Sequence, residues 1–332
     1  MILAPIIVFA YNRPDHLRRT LDALAKNDLA SQSVLYVFCD GPRDWAGKEN
    51  FSLPLREGEG VGSYISRRYG VMHCSREEYD AYLQRIAEVR KVAHATNGFK
   101  SVTVVERPKN IGLKANIVGA VTEIVNKYGR IITLEDDIVT SRGFLRFMNE
   151  ALEMYKDDEK VMHISGYMWP HRWQLPETFF YQVPYPGGGW ATWKRAWQYY
   201  DDDAAKLYHM WENRWEDFNK FGGDYLSKQL VANYEGRMNT WFIKWHAVLL
   251  ERGGLTLYPG KSLTNNIGFD ELATNCTAMT KFDVVPVDAV SVKRRPIKES
   301  WLANHEIYAF YQGRWYNKRR RNALLKKIQF WK

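Results

Sequence analysis

The sequence predicts an α/β fold in which a mixed, mostly parallel sheet is flanked by helices. The chain opens with an apolar run at residues 3–10, leucines at helical spacing within 15–26, and a second apolar run at 34–39. The same strand and helix patterns recur further along, at residues 102–105, 116–128 and 130–134. Alternation of this kind is typical of parallel strands joined by crossover helices.

Local features support each element in turn. The first strand runs into the loop at residues 11–14, and Asp15 favours the dipole of the helix that follows. The turn residues at 40–42 end the second strand. Further helices are predicted at residues 77–96, 144–155 and across most of 194–250. Short strands are predicted at residues 255–258 and 284–287.

The composition describes an ordinary globular chain. Of its 332 residues, 45% are hydrophobic and 14% aromatic, which excludes a disordered protein and suits one large domain or two merged lobes. The 13 Trp and 20 Tyr suit either a carbohydrate cleft or simple core bulk. Three cysteines without metal-ligand spacing fit a reducing cytosol. The apolar run at residues 2–10 is too short for a membrane span, so a cytoplasmic location is expected.

Three consecutive acids follow the very apolar strand at residues 130–134. Glu135, Asp136 and Asp137 there are costly at the end of a buried strand unless a positive charge compensates them. Ligands of open α/β sheets bind at this end of the strands. Mn²⁺ or Mg²⁺ would relieve the repulsion and bridge a diphosphate. The alternative is an acidic surface turn, or a cap for the helix at 144–155.

With this motif the sequence resembles a known family. Residues 134–137 look like the DxD-type motif of GT-A glycosyltransferases, whose Rossmann-like sheet matches the predicted fold. Residues 11–14, Asp40 and 186–190 resemble N-acetylglucosaminyltransferase I and related bacterial proteins. Residues 110–116 resemble the Asn-x-Gly segment of inverting sugar transferases. The resemblance covers roughly the first 290 residues, apart from an insertion at 44–75.

The resemblance implies a donor site built around the acids. Asp137 would bind the metal, Asp136 would face the ribose or donor sugar, and Glu135 would help to orient the donor.

Further donor contacts are implied upstream of the acids. Asp40 would accept a hydrogen bond from the uracil N–H, which indicates a UDP-sugar. Arg13 would pair with the diphosphate, for which a guanidinium is well shaped. Lys114 would add a second positive charge there, and Asn110 of the same segment is assigned to donor binding. The alternatives are turn chemistry for Asp40, a solvated loop for Arg13 and a surface helix for Lys114.

The Gly-rich segment at residues 186–190 fits the acceptor side of a cleft. Gly188 and Gly189 would let the backbone approach a ligand, and the ring of Trp190 would pack against a sugar. The alternative is a mobile loop with a buried Trp.

The general base of an inverting transfer is missing from its expected place. In the related bacterial proteins an Asp precedes the Trp of a segment like 239–245, but here Asn239 stands there and cannot accept a full proton. Asp270 or Asp224 would serve instead, or Asn239 is a substitution made to trap a complex, or the reaction is retaining. Asp270 is the favoured catalytic candidate beside Asn239, with a structural loop carboxylate as its alternative.

The end of the chain is strongly basic. The net charge is +9, and eight positive charges and no acid follow Glu306. In a helix over residues 319–332, one side is apolar and carries Leu324, Leu325, Ile328 and Trp331. A basic amphipathic helix of this kind fits an anchor on an anionic membrane surface. A helix packed on the domain is the equal alternative, and nucleic acid is not expected as a partner because no basic stripe lies elsewhere.

These expectations combine into a metal-dependent hexosyltransferase of the GT-A class. It would move a hexose or N-acetylhexosamine from a UDP-sugar to a glycan, free or lipid-linked, in lipopolysaccharide O-antigen or capsule synthesis. It would be a cytoplasmic or peripheral membrane enzyme. The rivals are a degenerate binder that lost turnover and a sugar nucleotidyltransferase. The expected divisions are a catalytic domain at 1–300 (donor half 1–140, acceptor half 141–300) and a basic tail at 301–332.

Overall fold

The fold is known from a computed structural model that describes residues 2–47, 70–219, 223–268 and 282–312. Its strands are β1 (Ile6–Ala10), β2 (Val34–Cys39), β3 (Asp44–Ala46), β4 (Val71–His73), β5 (Ser101–Glu106), β6 (Arg130–Glu135), β7 (Ile138–Thr140), β8 (Val161–Ser165), β9 (Thr178–Tyr181), β10 (Trp190–Trp193), β11 (Leu255–Pro259) and β12 (Thr264–Asn266). Its α-helices are α1 (Pro14–Ala25), α2 (Arg76–His94), α3 (Leu113–Tyr128), α4 (Phe144–Met154), α5 (Lys194–Trp197), α6 (Ala204–Trp211), α7 (Trp215–Asn219), α8 (Tyr225–Tyr234), α9 (Phe242–Glu251) and α10 (Trp301–Tyr311).

Eight of the strands form one mixed sheet in the order β5-β2-β1-β6-β10-β8-β11-β9. The pairs β5–β2, β2–β1, β1–β6 and β8–β11 are parallel, whereas β10 and β9 run against their neighbours. Six strands therefore point one way and two the other, which confirms the predicted mixed, mostly parallel α/β architecture.

Helices cover both faces of this sheet, so the central strands are buried on both sides. Every residue of β1 is buried, and one face of the sheet packs against Leu17, Leu21 and Leu24 of α1 together with the apolar side of α4. The other face packs against Ile117 and its neighbours in α3 and against the helices α5 to α9. The leucine spacing in α1 thus has the role that the sequence predicts for it.

Strand β10 enters the sheet between β6 and β8 and joins the two halves of the chain. It pairs antiparallel with β6, with Trp190 opposite Thr133, and antiparallel with β8, with Trp190 opposite Ser165. A separate two-stranded ladder, β7–β12, places Asn266 opposite Ile138. That ladder carries the chain at residues 264–268 back to the end of β6.

Several predicted elements differ in the structure. No strand forms at 284–287, because the backbone there bonds to loops: Val284 N–H donates to Asn265 Oδ1 (3.2 Å) and Val287 N–H to Ser262 O (2.9 Å). The ends of the 44–75 segment pair as β3 and β4, and residues 48–69 lie outside the described residues. The amphipathic helix predicted at 319–332 also lies outside them.

None of the helices within the described ranges combines the length and the apolar character needed to cross a lipid bilayer.

Candidate active site

The cleft of interest lies at the carboxyl ends of β1, β2 and β6. Its volume is about 220 Å³. The loop after β1, the N-terminus of α3 and the three acids at the end of β6 line it, and Asn266 and Gly268 close its far side. Because β1 pairs in parallel with both β2 and β6, loops distant in sequence meet at this edge.

The acid triplet is compensated by Arg13 in this structure. Arg13 Nη2 donates to Oδ2 of Asp137 at 2.9 Å and also to Oδ1 of Asp136. Burial by itself lowers the pKa of Arg13, but the two aspartates raise it above its ordinary value. Burial raises the pKa of Asp136, an effect that Arg13 partly offsets, and burial together with the charges of Asp137 and Asp136 raises the pKa of Glu135.

One oxygen of the triplet has no partner. Asp137 Oδ1 is buried and makes no hydrogen bond, although Oδ2 of the same carboxylate is bonded to Arg13. An unsatisfied buried carboxylate oxygen is costly and points to a missing ligand. Across the described ranges, no three His, Cys, Asp or Glu side chains form a ready-made metal site. The triplet therefore fits a hard cation that takes one or two protein carboxylates and completes its shell with phosphate oxygens and water.

Two contacts hold the triplet in place. The side chain of Thr20 on α1 donates to the carbonyl of Asp136 at 2.8 Å, and the N–H of Ile267 donates to the carbonyl of Asp137 at 2.8 Å. Gly268 lies so close that a Cβ added to it would be 2.1 Å from Asp137 Oδ2. The loop after β12 therefore packs directly on the acids, and a side chain at position 268 would collide with them.

Asp40 is buried at the end of β2, where it organises the loop before α3. Oδ1 accepts the N–H groups of Gly41 (2.9 Å) and Ile111 (3.0 Å). Oδ2 accepts Nδ2 of Asn110 (3.0 Å) and the N–H of Gly112 (3.2 Å). Burial raises the pKa of Asp40, and these N–H bonds partly offset that effect. A carboxylate has about four lone-pair sites, so the loop already occupies all of them.

The sequence analysis missed two polar residues of the cleft. Asn116, in the first turn of α3, is 3% exposed and its Oδ1 has no hydrogen-bond partner. Arg43 lies with its guanidinium over the ring of Tyr11, 5.7 Å from the centroid. The hydroxyl of Tyr82 holds this corner, because it bonds to the hydroxyl of Tyr11 (2.6 Å) and accepts the N–H of Arg43 (2.8 Å). Arg43 directly follows the turn at 40–42, but nothing in the local sequence indicates that its side chain reaches the cleft.

Lys114 pairs with a side chain of the protein, Asp202. The ammonium of Lys114 contacts Oδ2 of Asp202. The buried Lys244 donates to Oδ1 of the same carboxylate at 2.8 Å and to the backbone carbonyl of Asp202 at 2.9 Å. Lys114 does not belong to the cleft lining. Asp202 therefore links the start of α3 to α9, a relationship with no trace in local sequence.

The Gly-rich segment packs on the protein's own side chains. A Cβ on Gly188 would be 2.2 Å from Tyr167 Cβ, and Gly189 has a φ of 66° and lies against Phe144. Trp190 is 3% exposed and is stacked between His163 (centroids 5.1 Å apart) and Trp241 (5.2 Å). The expectation that the Trp190 ring packs on a sugar is therefore wrong, because both of its faces are covered. The close approach made possible by Gly188 is to Tyr167, and neither glycine lines the cleft.

Two of the three predicted base residues, Asn239 and Asp224, do not line the cleft. Asn239 is exposed just before α9 and is not among the cleft residues. Asp224 is exposed at the start of α8 and pairs with Lys228 (2.6 Å). Asp270 lies outside the described residues, two positions after Gly268, so its assignment stays a prediction.

Comparisons with known proteins give distant similarity of fold. No family model matches the chain, and no curated protein matches it. Among solved structures, 137 chains match.

Three of these structures illustrate the likeness. S. aureus TarS has a TM-score of 0.27 and 12% identity over 53% of this chain, which spans only 23% of TarS. UDP-glucose pyrophosphorylase complexed with UDP-glucose has a TM-score of 0.36 and 9% identity, covering 82% of this chain and 94% of that one. Galactosyltransferase LgtC in complex with donor and acceptor sugar analogues has a TM-score of 0.34 and 11% identity, covering 76% and 72%. Scores of this size carry no conclusion about activity, which rests on the site's own residues.

Proposed function

We propose that this chain is a metal-dependent glycosyltransferase that moves a sugar from a UDP-sugar to a hydroxyl of a glycan. The observation that carries the proposal is the unpartnered Oδ1 of Asp137 at the carboxyl end of β6, inside a cleft that also holds Arg13. The donor and acceptor analogues bound by LgtC, and the UDP-glucose bound by the pyrophosphorylase, belong to those proteins and only suggest which ligands to try first.

The acids and Arg13 would have different roles in donor binding. Asp137 Oδ1 would ligate Mn²⁺ or Mg²⁺, with Asp136 and Glu135 beside it facing the ribose and the donor sugar. The cation would supply Lewis-acid stabilisation of the departing diphosphate. Arg13 now neutralises the two aspartates, and the arriving cation would take over that task. The guanidinium would then be free to make paired hydrogen bonds to the diphosphate.

The base of the transfer is proposed to come from the chain that follows Gly268. That glycine packs against Asp137, and Asp270, two positions later in the sequence, is the first carboxylate after it. Asn239 is exposed outside the cleft. Asp at this position could accept a proton, unlike the amide, but because the position lies outside the cleft an Asn239→Asp change is expected to leave turnover unaltered.

The finer parts of the proposal come from the sequence. The motifs and the charge pattern support Asp40 as uracil acceptor, Asn110 and Lys114 as donor contacts, and a bacterial surface glycan as product. They also support a basic tail at 301–332 on an anionic membrane. Asp40 could accept the uracil N–H only by sharing an oxygen that already accepts two hydrogen bonds.

Titration calorimetry of UDP, GDP and CMP with Mn²⁺ tests the proposal. UDP should bind at least ten-fold more tightly than the other two, and its affinity should fall when the metal is removed. UDP release from a UDP-sugar, with and without Mn²⁺, then separates a working transferase from a binder without turnover. Equal affinity for all three nucleotides, or an affinity for UDP that is the same with and without Mn²⁺, would contradict the proposal.

The second candidate is a sugar nucleotidyltransferase. Arg13 favours it, because a cation beside acidic metal ligands also suits attack on a nucleoside triphosphate. Incubation with UTP and a sugar 1-phosphate decides between the two, since only a nucleotidyltransferase forms pyrophosphate.

A further inference from the structure

Asn116 lines the cleft and carries a buried side-chain oxygen without a hydrogen-bond partner. It lies in the first turn of α3, where its N–H donates to Gly112 O (3.0 Å) and its side chain reaches the cleft wall. The residue is 3% exposed, and Oδ1 makes no hydrogen bond. Leaving such an acceptor unsatisfied is costly, so a ligand that donates an N–H or O–H to it would gain affinity.

The surroundings of Asn116 favour an anionic ligand with polar hydrogens. Gly112 is the N-cap of α3 with a φ of 82°, and it provides no side-chain cap. Gly112 and Leu113 line the same cleft as Asn116. The N-terminus of a 16-residue helix therefore faces the cleft, where its dipole favours negative charge.

Asp40 is the other candidate hydrogen-bond acceptor in this part of the cleft, but both of its side-chain oxygens already accept hydrogen bonds. Its two oxygens accept hydrogen bonds from Gly41, Ile111, Asn110 and Gly112. Each bond ties the end of β2 to the loop that leads into α3. Asp40 therefore shapes the loop, whereas Asn116 has an acceptor free at the end of it.

We propose that Asn116 is a specificity residue for the donor nucleotide, with Oδ1 accepting a hydrogen bond from an N–H or O–H of the nucleoside. This inference rests on the proposed function, since it takes the cleft ligand to be a uridine nucleotide. It replaces the role of uracil acceptor, proposed above for Asp40, with a positioning role, because the hydrogen bonds of Asp40 fix the loop from which α3 and Asn116 start. The two candidate donors on the ligand are the imide N–H of the base and the ribose hydroxyls.

The assignment is tested by comparing how a change in the nucleotide and a change at Asn116 affect binding, alone and together. UDP, 3-methyl-UDP, 2′-deoxy-UDP and 3′-deoxy-UDP are titrated with Mn²⁺ into the wild-type chain and into Asn116→Leu, which keeps the shape and removes the acceptor. For the wild type, one modified nucleotide should bind at least ten-fold more weakly than UDP. For Asn116→Leu, UDP itself should be at least ten-fold weaker, and that modification should cause no further loss.

Two more variants keep the result interpretable. Asn116→Ala is a second deletion of the acceptor if Leu does not pack, and Asn116→Asp keeps an acceptor and should keep the discrimination. Melting temperatures are expected to stay within a few degrees of wild type, because Oδ1 bonds to no protein group. If every modified nucleotide shows the same affinity ratio in wild type and in Asn116→Leu, water satisfies the oxygen and the assignment falls. If wild type binds no UDP, the proposed function falls with it.

Discussion

The guanidinium of Arg13 bonds to one oxygen of Asp137, at 2.9 Å, and leaves the other oxygen of that carboxylate buried without a partner. The ion pair satisfies the charge of the aspartate but not its full hydrogen-bonding capacity. A compact divalent cation could do both, because it attracts carboxylate oxygens without needing a hydrogen-bond angle. This relationship underlies the first two predictions.

Replacing Asp137 should abolish metal-dependent nucleotide binding. Asp137→Ala removes the free oxygen, so the affinity for UDP in Mn²⁺ should fall at least ten-fold, while without metal the two proteins should bind alike. Calorimetry with and without EDTA measures this. Asp22→Ala, at an exposed position of α1, is the matched control and should bind as wild type does. Unchanged affinity in Asp137→Ala would remove this residue from the metal site.

Replacing Arg13 should destabilise the chain in a way that metal reverses. Arg13→Met leaves two buried aspartates without a counter-charge, which should lower the free energy of unfolding by about 3 kcal/mol. Mn²⁺ should restore much of that loss and should bind the variant more tightly than wild type. Urea denaturation with and without Mn²⁺ reports both effects. Arg18→Met, whose partner Glu88 is half exposed, should cost less than about 1 kcal/mol; an equal loss in both variants contradicts the prediction.

The carboxylate of Asp202 should stabilise the fold through the buried Lys244. Asp202→Ala leaves that ammonium with only a carbonyl partner, so the free energy of unfolding should fall by about 2 kcal/mol. The double variant Asp202→Ala/Lys244→Met should recover most of the loss, because it no longer leaves a buried ammonium without its carboxylate partner. Lys114→Ala breaks only the outer pair and should cost less than about 1 kcal/mol. A double variant no more stable than Asp202→Ala would show that charge pairing is not the cause.

Stability should fall as the solution is acidified from neutral pH. Burial lowers the pKa of His163 to about 3 and that of His246 to about 4, below the value of about 6.5 in an unfolded chain. The unfolded state therefore takes up protons first, and each histidine should cost about 2 kcal/mol between pH 7 and pH 5. Urea denaturation across this range measures the slope. His163→Gln should flatten it, whereas a change at the exposed His209 should not; parallel slopes in all three proteins would refute this account.

Two glycine-to-alanine changes should have opposite signs. Gly188→Ala places a Cβ 2.2 Å from Tyr167 and should cost about 2 kcal/mol or more. Gly119→Ala, inside α3 with nothing within 4 Å of the new Cβ, should stabilise the chain by about 0.5–1 kcal/mol. Thermal unfolding of both variants checks the difference. Loss of UDP binding in a Gly188→Ala protein that melts normally would instead return this glycine to the ligand site.

The sequence predicts the first half of the fold well because its patterns are local. Leucines repeat along α1, and the apolar runs of β1, β2 and β6 end at turn or acidic residues, so their bounds lie within about three residues of the prediction. The strands β8, β9 and β10 were missed because they are only four or five residues long, and β9 and β10 are also rich in aromatics. The valines at 284–287 suggested a strand, but no neighbouring strand is there to pair with them.

The candidate site could be predicted in part from the same local patterns. The acids and Arg13 lie in the cleft because parallel strands end at one edge, a rule that sequence order alone can apply. The full hydrogen-bonding of Asp40, the Lys244–Asp202 pair and the covered ring of Trp190 depend on contacts between distant residues. Contacts between residues far apart in the sequence produce no local pattern that could be recognised as a motif. The unpaired oxygen of Asn116 was overlooked for the same reason.

The insertion of β10 beside β6 also determines when the sheet can be completed during synthesis. The pairing of β6 with β1 needs only the chain up to residue 135, whereas the row of peptide groups on the other side of β6 waits for the chain at 190–193. Only after Trp193 has left the exit tunnel can that row be filled. For that interval the nascent chain presents an open strand edge, which is the kind of surface that chaperones protect from premature association.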